Sequence, residues 1–111
     1  MIWSPSILTN LLKAYKETSE PKKVWEFIKD NANESEVNQF IFHFKSQAMK
    51  KGVNPEDLIL KRIKAEIASA KQIIPLGEEC VNMWVNNIGP ARTYAWRKQK
   101  KNELIKEKYN V

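Results

Sequence analysis

The sequence predicts an all-α fold, a compact array of about six short helices, and three observations support this prediction. Signals for the start of a helix recur along the chain, because a proline or a capping side chain precedes most apolar segments. Within those segments, the apolar residues are spaced three or four positions apart, as on one helical face. No segment alternates apolar and polar residues as a half-buried strand does. The 111 residues suit a single hydrophobic core.

The first two helices are predicted to begin at prolines. Proline is tolerated in the first turn of a helix, where its missing N–H would have no partner. Ser4 and Pro5 open the first helix, and Pro21 opens the second. The apolar faces that follow are Leu8, Leu11, Leu12 and Tyr15 in the first helix, and Val24, Trp25 and Ile28 in the second.

The third and fourth helices carry the longest apolar stripes. A capping region at Asn33 and Ser35 and a glycine at Gly52 bound the third helix, since asparagine and serine cap N-termini and glycine suits the left-handed position after a C-terminus. Asn54 caps the fourth helix. The stripes are Val37, Phe40, Ile41, Phe44 and Ala48 in the third helix, and Leu60, Ile63, Ile67, Ala70 and Ile74 in the fourth. We expect Phe40 and Phe44 at the centre of the core.

Proline and glycine also mark the last two helices. Pro75 and Gly77 are predicted to end the fourth helix in a short turn, because proline disfavours the helical conformation of the residue before it. Gly89 and Pro90 then stop the fifth helix and start the sixth. The apolar residues that mark the fifth helix are Val81, Trp84, Val85 and Ile88.

The last helix is predicted to be basic and to project partly from the domain. Seven consecutive polar residues separate Trp96 from Leu104 and leave no apolar face there. We therefore divide the chain into a helical domain over residues 1–96 and a basic helical extension over residues 97–111. Residues 91–111 hold seven basic and two acidic side chains, a net charge of +5 out of +6 for the whole chain. This concentration of positive charge favours binding to phosphate or to another polyanion.

The sequence offers few groups for catalysis or metal binding. Its one histidine, His43, and its one cysteine, Cys80, have no partner visible in the sequence. We find no glycine-rich phosphate loop, no ligand pair with metal spacing and no activated-serine signature. Paired carboxylates occur near predicted helix starts, where the helix dipole accounts for them. We therefore expect a protein without enzymatic activity, cofactor or metal.

The composition argues against a membrane or secreted protein. The longest uncharged N-terminal stretch, residues 1–12, falls short of the roughly 20 apolar residues that cross a bilayer. It also lacks the basic region and cleavage site of a secretion signal. A single cysteine forms no internal disulfide, which is compatible with a reducing compartment. We expect a cytoplasmic protein.

Residues 66–92 hold three short motifs, Glu66-Ile67-Ala68, Val81-Asn82-Met83-Trp84 and Pro90-Ala91-Arg92. Their order resembles the Cro/CI-type helix-turn-helix of phage and plasmid repressors. The resemblance implies that the fifth helix lies in a DNA major groove. It also implies that Asn82, Asn86 and Asn87 contact base edges or phosphates. Arg92 and the basic run after it would hold the phosphate backbone.

The sixth helix offers a second candidate surface for nucleic acid. Its four central cations are Arg97, Lys98, Lys100 and Lys101. Because they cannot all share one helical face, they form a broad cationic surface suited to phosphate contacts without sequence recognition. Tyr94 and Trp96 either stack on unpaired bases or anchor the helix to the core.

Two functions remain open from the sequence alone. The first is a small regulatory or accessory protein, of the kind mobile elements encode, that binds DNA or RNA through the fifth helix and the basic segment. The second is a helical interaction module, an inhibitor or adaptor that docks its basic helix on an acidic protein or forms oligomers, with Trp3 or Trp96 as anchor. A helix lying on a membrane surface fits less well, because the C-terminal segment has no continuous apolar face.

Overall fold

A computed structural model describes residues 3–90 and 93–109, which form six α-helices and no strand. The helices are α1 Pro5–Tyr15, α2 Pro21–Asn31, α3 Glu34–Lys51, α4 Pro55–Ile73, α5 Glu78–Met83 and α6 Tyr94–Tyr109. A 3-10 turn over Ile74–Leu76 joins α4 to α5, and π-helical geometry over Trp84–Ile88 continues α5. The predicted all-α array is confirmed.

The predicted capping residues hold the starts of three helices. The side chains of Ser4, Asn33 and Asn54 each accept a hydrogen bond from a backbone N–H in the helical turn that follows. These bonds satisfy N–H groups that have no partner inside the helix. Gly52 follows α3 with a φ of 67°, the left-handed conformation that favours glycine.

The core is built around the ring of Phe40, as predicted. This ring packs against Trp3, Trp25 and Phe44 at centroid distances of 5.1, 5.3 and 4.7 Å. Helix α4 lies at the centre of the helical array, because it contacts α1, α2, α3 and α6. Its position determines which side of α6 is covered.

The buried face of α4 differs from the predicted seam at both ends. Ile59 and Ile73 are buried, whereas the predicted Leu60 is half-buried and Ile74 is exposed. The middle of the seam is buried as predicted. Each end offers two adjacent apolar residues, so spacing alone does not choose between them.

The fifth helix widens before it ends. The backbone N–H of Gly89 donates to the carbonyl oxygen of Trp84 at 2.6 Å, a bond across five residues that defines a π-helical turn. Trp84, Val85 and Ile88 are buried by this turn. Gly89 lies so close to Leu8 of α1 that a β-carbon there would overlap the leucine side chain. Glycine therefore allows the chain to pass against α1.

The sixth helix starts at Tyr94, later than the predicted start at Pro90, which lies in a turn. Thr93 caps it, because its Oγ1 accepts a hydrogen bond from a backbone N–H three residues on, at 3.2 Å. Leu104 is buried near the far end, whereas residues 106–109 are exposed. The helix therefore projects partly from the body, but only in its last turn and not from residue 97.

Candidate nucleic-acid interface

Helix α6 lies against α4 through three side-chain pairs that follow the same order on both helices. These pairs are Arg62 with Tyr94, Glu66 with Arg97, and Ser69 with Lys101. Successive pairs are three or four residues apart on each helix, so the two helices run in the same direction at this contact. The side of α6 that faces away from α4 is left to solvent.

The central pair is a buried ion pair. The two terminal nitrogens of Arg97 donate to the two carboxylate oxygens of Glu66 at 2.8 and 2.9 Å. This bidentate geometry is the strongest that arginine and a carboxylate form. The side chains are almost fully buried, with Arg97 8% and Glu66 6% exposed. The guanidinium also lies 5.8 Å from the ring centre of Trp3, within the range of a cation–π contact.

Arg97 therefore does not belong to the exposed cationic surface that the sequence predicted. Its charge is neutralised inside the chain by Glu66, and it cannot contact phosphate while α6 is docked. The sequence did contain a signal that Glu66 needs a partner, but not which residue that partner is. Glu66 is an acid next to Ile67 within the buried stripe of α4, and a buried carboxylate needs a partner.

Lys101 is half-buried between the two helices. Its Nζ lies 3.4 Å from the hydroxyl oxygen of Ser69, to which it donates a hydrogen bond. Burial lowers the pKa of the Lys101 ammonium group, the carboxylate of Glu66 opposes this shift, and Lys98 and Arg97 add to it. Lys101 is therefore less available to phosphate than the sequence predicted.

Lys98 and Lys100 are the predicted site residues of α6 whose charged groups are not held against α4, in contrast to Arg97 and Lys101. Lys98 is exposed, and Lys100 is half-exposed. The Nζ of Lys100 lies 3.2 Å from a carboxylate oxygen of Glu103, one helical turn away. This pair is itself open to solvent, so it holds Lys100 only weakly.

The aromatic side chains at the start of α6 are exposed rather than buried. Tyr94 is 58% and Trp96 42% exposed, so anchoring of the helix falls to the buried Arg97 and Leu104 and not to these rings. A cation lies over each ring: the guanidinium of Arg62 is 5.4 Å from the centre of Tyr94, and Lys100 Nζ is 5.6 Å from that of Trp96. An exposed ring beside a cation is suited to stacking on a base while the cation meets a phosphate.

We call the exposed aromatic and basic side chains of α6, together with Arg62 of α4, the α6 surface. Tyr94 and Trp96 are two positions apart, so they lie on opposite flanks of the helix, and the surface covers more than one helical face. Its members are Arg62, Tyr94, Trp96, Lys98, Lys100, Lys106 and Lys108. Glu103 and Glu107 are the exposed acids on the same helix. Five cations against two carboxylates give the surface a positive charge.

The asparagines assigned to base or phosphate contact lie elsewhere, on α5 and its π-helical continuation. Asn82, Asn86 and Asn87 are all exposed. The side-chain amide of Asn86 donates to the backbone carbonyl of Asn82 at 3.0 Å, which occupies one of its donors. Arg92, predicted to hold the phosphate backbone, lies outside the described residues.

The start of α5 carries negative charge. Glu78 and Glu79 form its first turn, and both are exposed. In a helix-turn-helix protein, this end of the recognition helix approaches phosphate, which like charge disfavours. The connection from α4 is a 3-10 turn followed by Gly77, with a φ of 106°.

Asn82 and Asn86 also line a groove that the sequence did not predict. This groove, about 960 Å³ in volume, lies between the end of α1 and the junction of α4 with α5. Its apolar lining is Leu12, Tyr15, Ile74, Val81 and Val85, and its charged lining is Lys13, Lys16, Glu17, Lys71 and Glu78. Sequence patterns missed it because its two sides lie some 60 residues apart in the chain.

The remaining titratable candidates do not form a site. Cys80 is buried, and across residues 3–90 and 93–109 no group of three His, Cys, Asp or Glu side chains is placed to hold a metal ion. Burial lowers the pKa of His43, and the charges of Arg62 and Lys50 lower it further.

None of the helices described is long and apolar enough to cross a membrane.

No family model, curated protein or solved structure matches this chain. The helix-turn-helix resemblance of residues 66–92 therefore stays a prediction. The geometry of the α6 surface is the basis for a functional proposal.

Proposed function

We propose that this protein binds nucleic acid, preferentially unpaired DNA or RNA, through the α6 surface. The observation that carries the proposal is the exposure of Tyr94 and Trp96, each beside a cation, at the start of a basic helix. Proteins that hold single strands combine aromatic platforms for the bases with cations along the backbone. Binding rather than catalysis is the activity we assign.

The cations beyond the rings extend the surface along the helix. Lys98, Lys106 and Lys108 are exposed, and the helix from Tyr94 to Lys108 is about 21 Å long at about 1.5 Å per residue. Lys98 lies one turn beyond Tyr94 and Lys100 one turn beyond Trp96, so each ring has a cation on its own flank of the helix. Contacts of such cations with a backbone neutralise phosphate and recognise little sequence.

The helix-turn-helix hypothesis is a narrower form of the same proposal. It assigns base contacts to Asn82, Asn86 and Asn87, which are exposed. The exposed carboxylates of Glu78 and Glu79 work against phosphate contact at α5, so we assign the main contact to α6. A regulatory or accessory role in the cytoplasm, of the kind that mobile elements use, belongs to this proposal.

The rings are tested by the affinity for fluorescent single-stranded DNA and RNA, measured by fluorescence anisotropy. A Tyr94→Ala, Trp96→Ala chain is expected to bind at least about 30-fold more weakly, because stacking contributes about 1–3 kcal/mol per base and two rings are removed. The matched control is Tyr94→Phe with Trp96→Phe, which keeps both rings and is expected to keep most of the affinity. Equal affinities for the two double variants would contradict stacking.

The cations are tested by salt titration of the same complexes. Replacing Lys98, Lys106 and Lys108 by glutamine is expected to weaken binding and to reduce the slope of log affinity against log salt by about 2. The control replaces Lys22, Lys23 and Lys29 on α2, which removes the same charge elsewhere. Binding that is insensitive to salt, or equally weakened by both sets, would exclude the α6 surface.

A second candidate, a helical protein-interaction module, is favoured by one observation on α3. Phe42 and Met49 are the most exposed large apolar side chains among the described residues, and such side chains mark interaction surfaces. In another form of this candidate, an acidic protein docks on α6 instead of α3, and its binding would depend on the exposed lysines of α6. It would depend less on Tyr94 and Trp96, which separates this candidate from nucleic-acid binding in the experiments above.

A further inference from the structure

Two of the α6 side chains that meet α4 are cations, Arg97 and Lys101. Apolar burial along α6 is small, because Leu104 is buried and Ile105 half-buried, while the other side chains of the helix are polar or exposed. A helix in a globular protein is held mainly by the packing of its apolar face. The position of α6 therefore depends largely on its polar contacts with α4.

The carboxylate of Glu66 meets Arg97 as a phosphate group would. The two terminal nitrogens of Arg97 donate to its two oxygens at 2.8 and 2.9 Å. Arginine forms the same two-pronged contact with carboxylate and with phosphate oxygens. Glu66 also acts on Lys101, since burial lowers the pKa of that ammonium group and the charge of Glu66 opposes the shift. One acid of α4 thus engages two cations that the sequence assigned to phosphate.

The contact of Arg97 with α4 is incomplete. Its Nε is buried and has no hydrogen-bond partner among residues 3–90 and 93–109. A buried donor without an acceptor loses its bond to water, which costs free energy. The two charges of the ion pair also lose their water, and this loss offsets much of their attraction. Undocking returns these groups to water, so a ligand that binds the released helix can displace α6 from α4.

We propose that Glu66 competes with nucleic acid for Arg97 and Lys101, so that a bound single strand releases α6 from α4. This inference rests on the proposed function, because it concerns how the same helix binds. The exposed rings and lysines meet the strand while α6 is docked, and release adds two cations for phosphate. A protein that must first release a helix binds more weakly, in proportion to the fraction of chains already released. Glu66 therefore limits the affinity.

The competition is tested by the affinity for fluorescent single-stranded DNA, measured by fluorescence anisotropy. Glu66→Gln is expected to bind about tenfold more tightly, because a neutral amide holds Arg97 less strongly and more chains are released. Its slope of log affinity against log salt is expected to be steeper by about 1, since release adds phosphate contacts. The matched control Glu26→Gln removes the same charge from an exposed position on α2 and is expected to change the affinity less than twofold.

A second variant shows whether the gain comes from the released arginine. Glu66→Leu with Arg97→Met replaces the ion pair by apolar side chains, which keeps α6 docked and leaves the net charge unchanged. This chain is expected to bind no more tightly than the unmodified chain. Circular dichroism checks that each variant keeps its helices.

Release itself is observed in the unmodified chain by carbon-13 magnetic resonance of the Glu66 carboxyl group. As single-stranded DNA is added to saturation, this signal is expected to move towards those of exposed glutamates such as Glu26. The reason is that the carboxylate exchanges Arg97 for water. The signal of Glu26 itself is expected to stay in place.

Three results would overturn the inference while leaving binding through α6 intact. The first is a Glu66→Gln chain that binds no more tightly than Glu26→Gln. The second is a Glu66→Leu, Arg97→Met chain that binds as tightly as Glu66→Gln. The third is a Glu66 carboxyl signal that does not move at saturation. If neither the unmodified chain nor Glu66→Gln binds the strand, the proposed function fails as well.

Discussion

Helices α3 and α6 are attached to the same core by opposite means. Helix α3 buries four apolar side chains, whereas α6 buries Arg97 and Leu104. Apolar burial stabilises in proportion to area and needs no particular partner. A buried arginine is tolerated only beside its carboxylate, here Glu66. The position of α3 thus rests on many contacts and that of α6 on very few.

The largest expected effect lies on the α3 side. Phe40→Ala removes the ring that Trp3, Trp25 and Phe44 surround, and the free energy of unfolding is expected to fall by about 3–5 kcal/mol. Urea unfolding followed by tryptophan fluorescence measures it. Phe42→Ala, on the opposite side of the same helix, is expected to change the free energy by less than about 0.5 kcal/mol at low protein concentration. Similar losses at both positions would contradict the burial of α3.

The ion pair is expected to give the next largest effect, and a local one. Glu66→Ala leaves Arg97 buried without its partner, which destabilises the docked α6 by about 3 kcal/mol. Amide hydrogen exchange should accelerate in α6 and remain slow in α3. Replacing the pair with Glu66→Leu and Arg97→Met is expected to recover most of the loss. A double variant less stable than Glu66→Ala would show that the pair does not hold α6.

The helix caps are expected to give a smaller effect that separates the same two regions. Thr93→Ala removes the cap of α6, and Asn33→Ala removes the cap of α3, at a cost of about 1 kcal/mol each. The first change should speed amide exchange within α6 alone. The second should lower the free energy of global unfolding, because α3 belongs to the core. If both variants changed amide exchange in α6 and the free energy of global unfolding to the same extent, α6 would not be held more weakly than α3.

The smallest expected effect is the pH dependence contributed by His43 on α3. Burial and the charges of Arg62 and Lys50 hold its pKa below the ordinary value of 6.5. The unfolded chain therefore binds this proton more readily than the folded chain, and stability falls as the pH is lowered below about 6.5. His43→Gln should reduce that slope in urea unfolding measured from pH 7 downward. An unchanged slope would contradict the lowered pKa.

The sequence predicted those features of the fold that neighbouring residues determine. The caps at Ser4, Asn33 and Asn54 and the stripe of α3 depend on positions within one or two turns, so their spacing was sufficient. The pairing of Glu66 with Arg97 joins residues 31 positions apart, and no local pattern specifies it. The start of α6 after its cap at Thr93 was not predicted. Gly89 and Pro90 carry the stronger local signal for a helix start, so the sequence placed the start there.

The candidate site was predicted in part. Basic composition located the surface on the last helix, where Lys98 and Lys100 reach solvent as expected. Which cations face inward depends on how α6 packs against α4, so the roles of Arg97 and Lys101 were not predicted. The same packing decides that Tyr94 and Trp96 are exposed.

The most direct test of the central claim is nuclear magnetic resonance of the isotope-labelled chain, titrated with a short single-stranded oligonucleotide. The account predicts that amide signals from Tyr94 to Lys108 and around Arg62 shift progressively, together with the indole signal of Trp96. Signals of Asn82 and Asn87 should remain nearly unchanged. Shifts confined to α5, or no shifts at all, would contradict binding through the α6 surface.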